Sequence, residues 1–332
     1  MKHKTIAIFV TILLAFSLLG CGEEAVTPSP TSSPSSIPGS DYYSFISYAA
    51  MVQLEYHETW SYDGGEEVSD EEGLAASFSL ANGQGEFSVQ YLFMDEADWN
   101  KNVWLNQLDM DEIVEEGEEV GPFDGRMLTG TTQYGNVVAY AGRMPWYDTG
   151  LYLVMHIYFS APDDYVQMES ARLEHTLQSV QSIATEFGVP EVPGTMLNDF
   201  SEFGITICGT EHGYFQTNTE TDLVHQDFYL DDVGNEISVL CARVPRNEIN
   251  DIYHQLETEI KATGGYFPQF SRSANGATGR SLYNGKWNVF YMRHTLSGDT
   301  ANYVMVSAKF RPDFGQDFYD LAQEMFEKST ID

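Results

Sequence analysis

From Tyr42 onward, apolar and polar residues alternate in short runs broken by Gly, Asn and Asp, and in four places the apolar spacing lengthens to three or four. Met51 to Tyr56 reads as a strand, followed by an acidic turn over 63–73. Leu74 to Leu80 and Glu86 to Phe93 read as a hairpin through Asn82-Gly83-Gln84-Gly85, where glycine accepts the positive φ a tight turn needs. Asp95 starts a helix carrying Trp99, Val103 and Leu108. Arg126 to Thr132 and Asn136 to Arg143 form a second hairpin, and Leu151 to Phe159 a long apolar strand. A helix then places Leu173, Leu177 and Val180 on one face.

The same order returns after Pro190, Pro193 and Gly194, which interrupt both periodicities. Phe203 to Cys208 is a strand, and Leu223 to Leu230 pairs with Glu236 to Val244 around Asp231 to Asn235. A helix carries Ile249, Ile252, Leu256 and Ile260, and a strand pair runs from Gly279 to Leu296 with its turn at Asn284-Gly285. Asn302 to Phe310 is the last strand, and the final helix sets Phe318, Leu321, Ala322 and Met325 at i, i+3, i+4, i+7, the spacing of a docked face. Gly125-Arg126-Met127-Leu128 echoes Gly279-Arg280-Ser281-Leu282, Asn136-Val137 echoes Asn288-Val289, and Phe159-Ser160-Ala161-Pro162-Asp163 echoes Phe310-Arg311-Pro312-Asp313. Ordered echoes of this kind mark an internal duplication.

The expected fold class is therefore α/β of the α+β type: two tandem repeats of a mainly antiparallel sheet flanked by helices, in the order βββαβββα. The expected domains are 41–183 and 197–332, joined by a linker over 184–196. The element order, together with Phe203-Gly204-Ile205-Thr206-Ile207, resembles the PsbP-like family, small domains found in a photosystem II extrinsic subunit and in many bacterial lipoproteins. The chain departs from that family in lacking its usual Pro and Trp just after the opening strand: Trp60 is the corresponding residue in the first segment, and Tyr214 stands in the second. The resemblance implies no single activity.

The residues before Tyr42 change the picture from fold to address. Lys2 and Lys4 precede an apolar run, Thr5 to Leu19, that is short for a membrane span. It ends in Leu18-Leu19-Gly20-Cys21, which resembles the bacterial lipobox and implies a lipidated Cys21 as mature N-terminus. Residues 1–20 thus read as a lipoprotein signal peptide. Residues 21–40 read as the lipidated cysteine and a tether in which Pro28, Pro30, Pro34 and Pro38 alternate with Ser and Thr. The expected location is a cell membrane, lipid-anchored on its extracytoplasmic face.

Charge narrows the partners. The 332 residues hold 50 acids against 16 Lys and Arg, a net charge of −34, which repels nucleic acid and anionic membrane surfaces. No Gly-x-Ser-x-Gly elbow, His-Glu-x-x-His or paired Cys-x-x-Cys occurs among the residues, and the eight His are scattered. His57 and His212 follow the two opening strands. Cys208 and Cys241, in apolar strands of an exported protein, are candidates for one disulfide or for two buried thiols. Glu66, Glu67, Asp70, Glu71 and Glu72 crowd one acidic loop, and Asp111 to Glu119 hold six acids in another; such loops could bind calcium, but neither has the spacing of a calcium loop. Arg126 and Arg280 are scarce cations after matching glycines, candidates for ligand binding, with an ion pair as the competing reading. The resulting expectation is a non-enzymatic binding or accessory module of the envelope, recognising an unknown envelope protein or small ligand, without a cofactor. The alternatives are an envelope hydrolase with a carboxylate pair and a solute-capture lipoprotein.

Overall fold

The computed structural model describes residues 35–36, 39–47, 51–64, 67–68, 73–80, 85–103, 111–117, 123–132, 135–183, 192–211, 214–220, 222–230, 235–262, 265–283 and 285–332. They fall into two compact units, 30–188 and 189–332.

The second unit shows the scheme in full. Its strands are β13 (Thr195–Phe200), β14 (Ile205–Thr210), β15 (Tyr214–Glu220), β16 (Leu223–Tyr229) and β17 (Glu236–Pro245), then β18 (Tyr266–Arg272), β19 (Gly276–Tyr283), β20 (Lys286–Ser297), β21 (Thr300–Phe310) and β22 (Thr330–Ile331). Helix α3 (Ile249–Ala262) follows β17 and α4 (Gly315–Lys328) follows β21. A seven-stranded antiparallel sheet runs β15-β16-β17-β21-β20-β19-β18, and a small sheet runs β13-β14-β22. In the first unit the strands before its first helix are β1 (Ser35–Ser36), β2 (Tyr42–Ser47), β3 (Val52–His57), β4 (Ser61–Gly64), β5 (Glu67–Val68), β6 (Gly73–Ser79) and β7 (Glu86–Asp95). Helix α1 (Glu96–Asn100) is followed by β8 (Asp111–Gly117), β9 (Asp124–Thr132), β10 (Gly135–Trp146) and β11 (Leu151–Ala161), then by α2 (Asp163–Gln178) and β12 (Gln181–Ser182). Its sheets run β4-β6-β7-β11-β10-β9-β8, with β5 also on β6, and β1-β2-β3-β12. The two units share one topology along these paths, and among the described residues β1 and β5 are the first unit's additions.

The expected βββαβββα order with a sheet flanked by helices is overturned. Each unit is mostly strand, in two antiparallel sheets with few helices; the second runs five strands, a helix, four strands, a helix and one strand. The strands absent from the sequence reading are chiefly edges. β15 (Tyr-Phe-Gln-Thr-Asn-Thr-Glu) and β18, with Pro268, are largely exposed and carry no apolar run. An edge strand buries too little for its pattern to show. The acids from Asp111 to Glu116 lie in strand β8 rather than in a loop. The helix expected from Asp95 closes after five residues, with the Asp95 carboxylate accepting the Asp98 N–H at 2.8 Å as its cap; Leu108 is outside the described residues.

Central strands fix the layers. β17 alternates, sending Ile237, Val239 and Cys241 into one core cluster and Leu240, Ala242 and Val244 into another. The first cluster includes Ile205, Ile207 and Cys208 of β14 and Phe318, Leu321, Ala322 and Met325 of α4, so the expected face of the last helix is the buried one. The second includes Ile249, Ile252 and Leu256 of α3. One face of the large sheet is thus covered by the small sheet and α4, the other by α3.

The arginine echo does not survive the register. Thr132 faces Gly135 and Tyr283 faces Lys286 at the two hairpin ends, so Arg126 stands six residues before its turn and Arg280 three before its own. The two do not occupy equivalent positions. The glycine before Arg280 has a local cause: a Cβ on Gly279 would lie 2.2 Å from the ring of Phe290 on the next strand. Gly279→Ala should destabilise the second unit by about 1–3 kcal/mol, and combination with Phe290→Leu should be less than additive, as read by urea unfolding of the whole chain.

Candidate functional site

One serine fixes each helix to its small sheet, and the chemistry around it differs between the units. In the first, Ser179 Oγ donates to the Thr176 carbonyl at 2.7 Å and accepts the Glu55 N–H at 2.8 Å. In the second, Ser329 Oγ donates to the Met325 carbonyl at 2.7 Å and accepts the Cys208 N–H at 2.9 Å. Counting back four, seven and ten residues from the serine gives His175, Arg172 and Glu169 in one helix, and Met325, Ala322 and Tyr319 in the other.

The first unit therefore carries three polar side chains where the second has two apolar ones and a tyrosine. Glu169 is buried, yet both its oxygens are used: Oε2 accepts the Trp60 indole N–H at 3.0 Å and Oε1 the Arg172 Nη1 at 2.6 Å. His175 Nε2 lies 2.8 Å from Glu55 Oε2, and Tyr42 lies over the His175 ring with centroids 3.8 Å apart. His57 Nδ1 accepts the Thr59 N–H at 3.2 Å and stands 2.8 Å from its hydroxyl. Burial first, and then the Arg172 charge, lower the His57 pKa; burial raises that of Tyr42. The cluster pairs its own groups: carboxylates with indole, guanidinium and imidazole. Its role in the structure is to join α2 to β3 and the turn after it. Sequence reading singled out His57 and Trp60 but missed Tyr42, Thr59, Glu169, Arg172 and His175, whose partners lie more than a hundred residues away or around a turn.

Arg280 sits where β18, β19 and β20 meet α4. Its Nε donates to Gln269 Oε1 at 2.9 Å, it hydrogen-bonds the Tyr319 hydroxyl, and its guanidinium lies 5.4 Å from the Trp287 ring centre. Among the described residues its partners are an amide, a phenol and an indole, in place of the expected carboxylate. The Arg126 side chain, His212, Glu66, Asp70, Glu71, Glu72 and the Cys21 segment lie outside the described residues, and of Glu67 only the backbone is described. Among the described residues no group of three His, Cys, Asp or Glu could hold a metal.

The cysteine alternatives resolve against the bridge. Cys208 and Cys241 are both free, on β14 and β17 within one core cluster. Burial pushes the Cys241 thiol up to about 12 and also raises Cys208, so neither is a thiolate nucleophile at neutral pH. His156, wholly buried in β11, is lowered by burial to about 4, and His294 is held by the Tyr253 hydroxyl at 2.8 Å. Two described carboxyls are raised by burial, Glu236 of β17 and Glu259 of α3. Burial raises Glu259 to about 7 against a hydrogen bond from Gln255, and its Oε2 is buried without a partner. No neighbouring charge contributes to that shift, so no paired carboxylate of the glycosidase kind is assembled around it.

Two outcomes follow. Thiol titration should detect neither Cys208 nor Cys241 in the native protein and both in the unreduced, denatured protein. Glu259 binds its proton more tightly folded than unfolded, so the stability it contributes is full below about 4.5 and is lost as pH rises through about 7. Glu259→Gln should flatten that decline and raise the melting temperature at pH 8, by about 2–4 °C per kcal/mol recovered.

No family model matches the chain, and no curated protein matches it. Among solved structures it is similar to the apo immunity protein TplEi of T6SS from Pseudomonas aeruginosa, at 9% identity over 89% of this chain and 99% of that one, with a TM-score of 0.24. It is also similar to TplEi complexed with "L" peptide, at 7% identity over 82% and 98% of the two chains, TM-score 0.25. The di-domain ARO/CYC StfQ from the steffimycin biosynthetic pathway matches at 7% identity over 85% and 91%, TM-score 0.14. Likenesses at these TM-scores carry no argument about what the chain does.

Proposed function

We propose that the chain is a lipid-anchored protein of the extracytoplasmic membrane face that works by binding a partner rather than by catalysing a reaction. The observation that carries the binding reading is on β13. This strand pairs with β14 on one side, and its Met196 and Leu197 are 41% and 61% exposed. Large apolar side chains side by side on an open strand edge are costly to leave in water and favour aggregation, and burial against a partner removes both costs. The anchor rests on Lys2, Lys4, the apolar run and Leu18-Leu19-Gly20-Cys21.

Two measurements test the two halves. Labelled palmitate should enter the wild-type protein and not Cys21→Ala; an unlabelled wild type overturns the anchor. A photo-cross-linking side chain at Leu197, in intact cells, should give a discrete adduct that the same group at exposed Thr258 of α3 does not. Equal patterns at both positions overturn the binding reading.

A further inference from the structure

The two small sheets are the same sheet with one difference. In the first unit β2 is flanked by β3 and also by β1, with Ser35 opposite Ser44 and Ser36 opposite Tyr43. Among the described residues the matching strand of the second unit, β13, has β14 alone, in unbroken register from Thr195 opposite Thr210 to Phe200 opposite Ile205. Where β2 is capped, its residues from Tyr42 to Ser47 are half-buried or buried. Where β13 is not, Met196, Leu197 and Asp199 are exposed.

The other long edges carry features that discourage pairing. β18 holds Pro268, a register shift and Phe267 at a φ of 55°. β4 and β8 each have a register shift, and β1, β12 and β22 are two residues long. β15 is regular, but of its side chains from Phe215 to Glu220 only Phe215 is apolar. β13 is six residues long, regular, without Pro or Lys, and apolar on both faces at adjacent positions.

Charge selects the occupant. Between Arg172 and Arg243 the sequence contains no Lys or Arg, and residues 195–242 hold nine acids. Asp199 lies on β13 itself, and Glu202 and Glu211 are exposed at its ends. The nearest described cation, Lys328, reaches Thr195 Oγ1 at 3.3 Å but is paired with Glu324. A second copy of β13 would set like against like. In the symmetric antiparallel pairing Asp199 would face Met196, with every flanking carboxylate doubled.

We propose that the open edge of β13 takes an extended segment of another exported protein as an added strand, one in which Lys or Arg alternate with apolar residues. This deepens the binding reading above and rests on it. Backbone pairing supplies affinity, Met196 and Leu197 are covered by its apolar side chains, and its cations face Asp199, Glu202 and Glu211.

The test uses the full exported chain and a fluorescent peptide of about ten residues with Lys alternating with Val and Thr. The peptide should bind, lose affinity as salt rises from about 50 to 500 mM, and slow exchange of β13 amides but not of β15 amides. Its Glu-for-Lys counterpart should not bind. N-methylation of alternate peptide nitrogens should weaken binding about tenfold or more, as should Met196→Thr with Leu197→Thr, which keeps strand propensity. Binding indifferent to N-methylation and to the β13 variant overturns strand addition in favour of loose charge attraction. Self-association in the centrifuge that the β13 variant abolishes, without peptide binding, overturns the basic partner in favour of a second copy. No binding of either peptide, with the Leu197 adduct retained in cells, overturns this inference and leaves the binding reading standing; loss of both removes both.

Discussion

A sheet whose central strands are apolar on both faces has to be covered twice, and in this chain that requirement organises everything else. β21 is buried along almost its whole length between β17 and β20, and β17 divides its side chains between two core clusters. Neither cover is large. A helix of 14 residues serves one face, and a three-stranded sheet plus another helix of 14 residues serves the other. The small sheet is built from chain segments more than a hundred residues apart, so something has to hold it in register with the helix that ends beside it. Ser329 does this by bonding back to Met325 and across to Cys208, and Ser179 repeats the arrangement with Thr176 and Glu55. Each hydrogen bond contributes only about 1 kcal/mol. Their value is positional, because they stop the helix where the last strand must begin.

With the frame held constant, the two copies have diverged at the interface it creates. The second unit fills the space under α4 with Met325, Ala322 and the rings of Phe318 and Phe310. The first buries Leu173, Leu177 and Glu169 of α2 and sets Arg172 and His175 at the margin, and Glu169, Arg172 and His175 each have a partner on β3 or the turn after it. An ion pair with one buried partner, such as Glu169 with Arg172, holds its geometry more than it adds stability, since desolvation of the buried carboxylate consumes much of the attraction.

Much of this architecture was legible in the chain, for reasons that also explain what was not. α4 shows in sequence because Phe318, Leu321, Ala322 and Met325 all face one core. β21 shows because both of its faces are apolar. β13, β15 and β18 do not show, since an edge has one strand neighbour and need not alternate. That lapse turned a mostly-β duplication into an expected α/β one. The arginine echo was misleading for a related cause: glycine before Arg280 answers to the ring of Phe290, a contact on the next strand that says nothing of the arginine. Glu169 was invisible among 50 acids because only the fold brings Trp60 to it.

The added strand β1 has a mechanical meaning as well. A load entering through the N-terminal segment meets Ser35 and Ser36 before it meets any core strand. Because β1 and β2 run antiparallel, tension applied at Ser35 would open the pairs in succession, Ser35 from Ser44 and then Ser36 from Tyr43. Bonds that open one at a time resist far less force than bonds that must shear together. A pull applied at Ser35 would therefore open this two-pair ladder first and leave the six-pair β2–β3 ladder untouched.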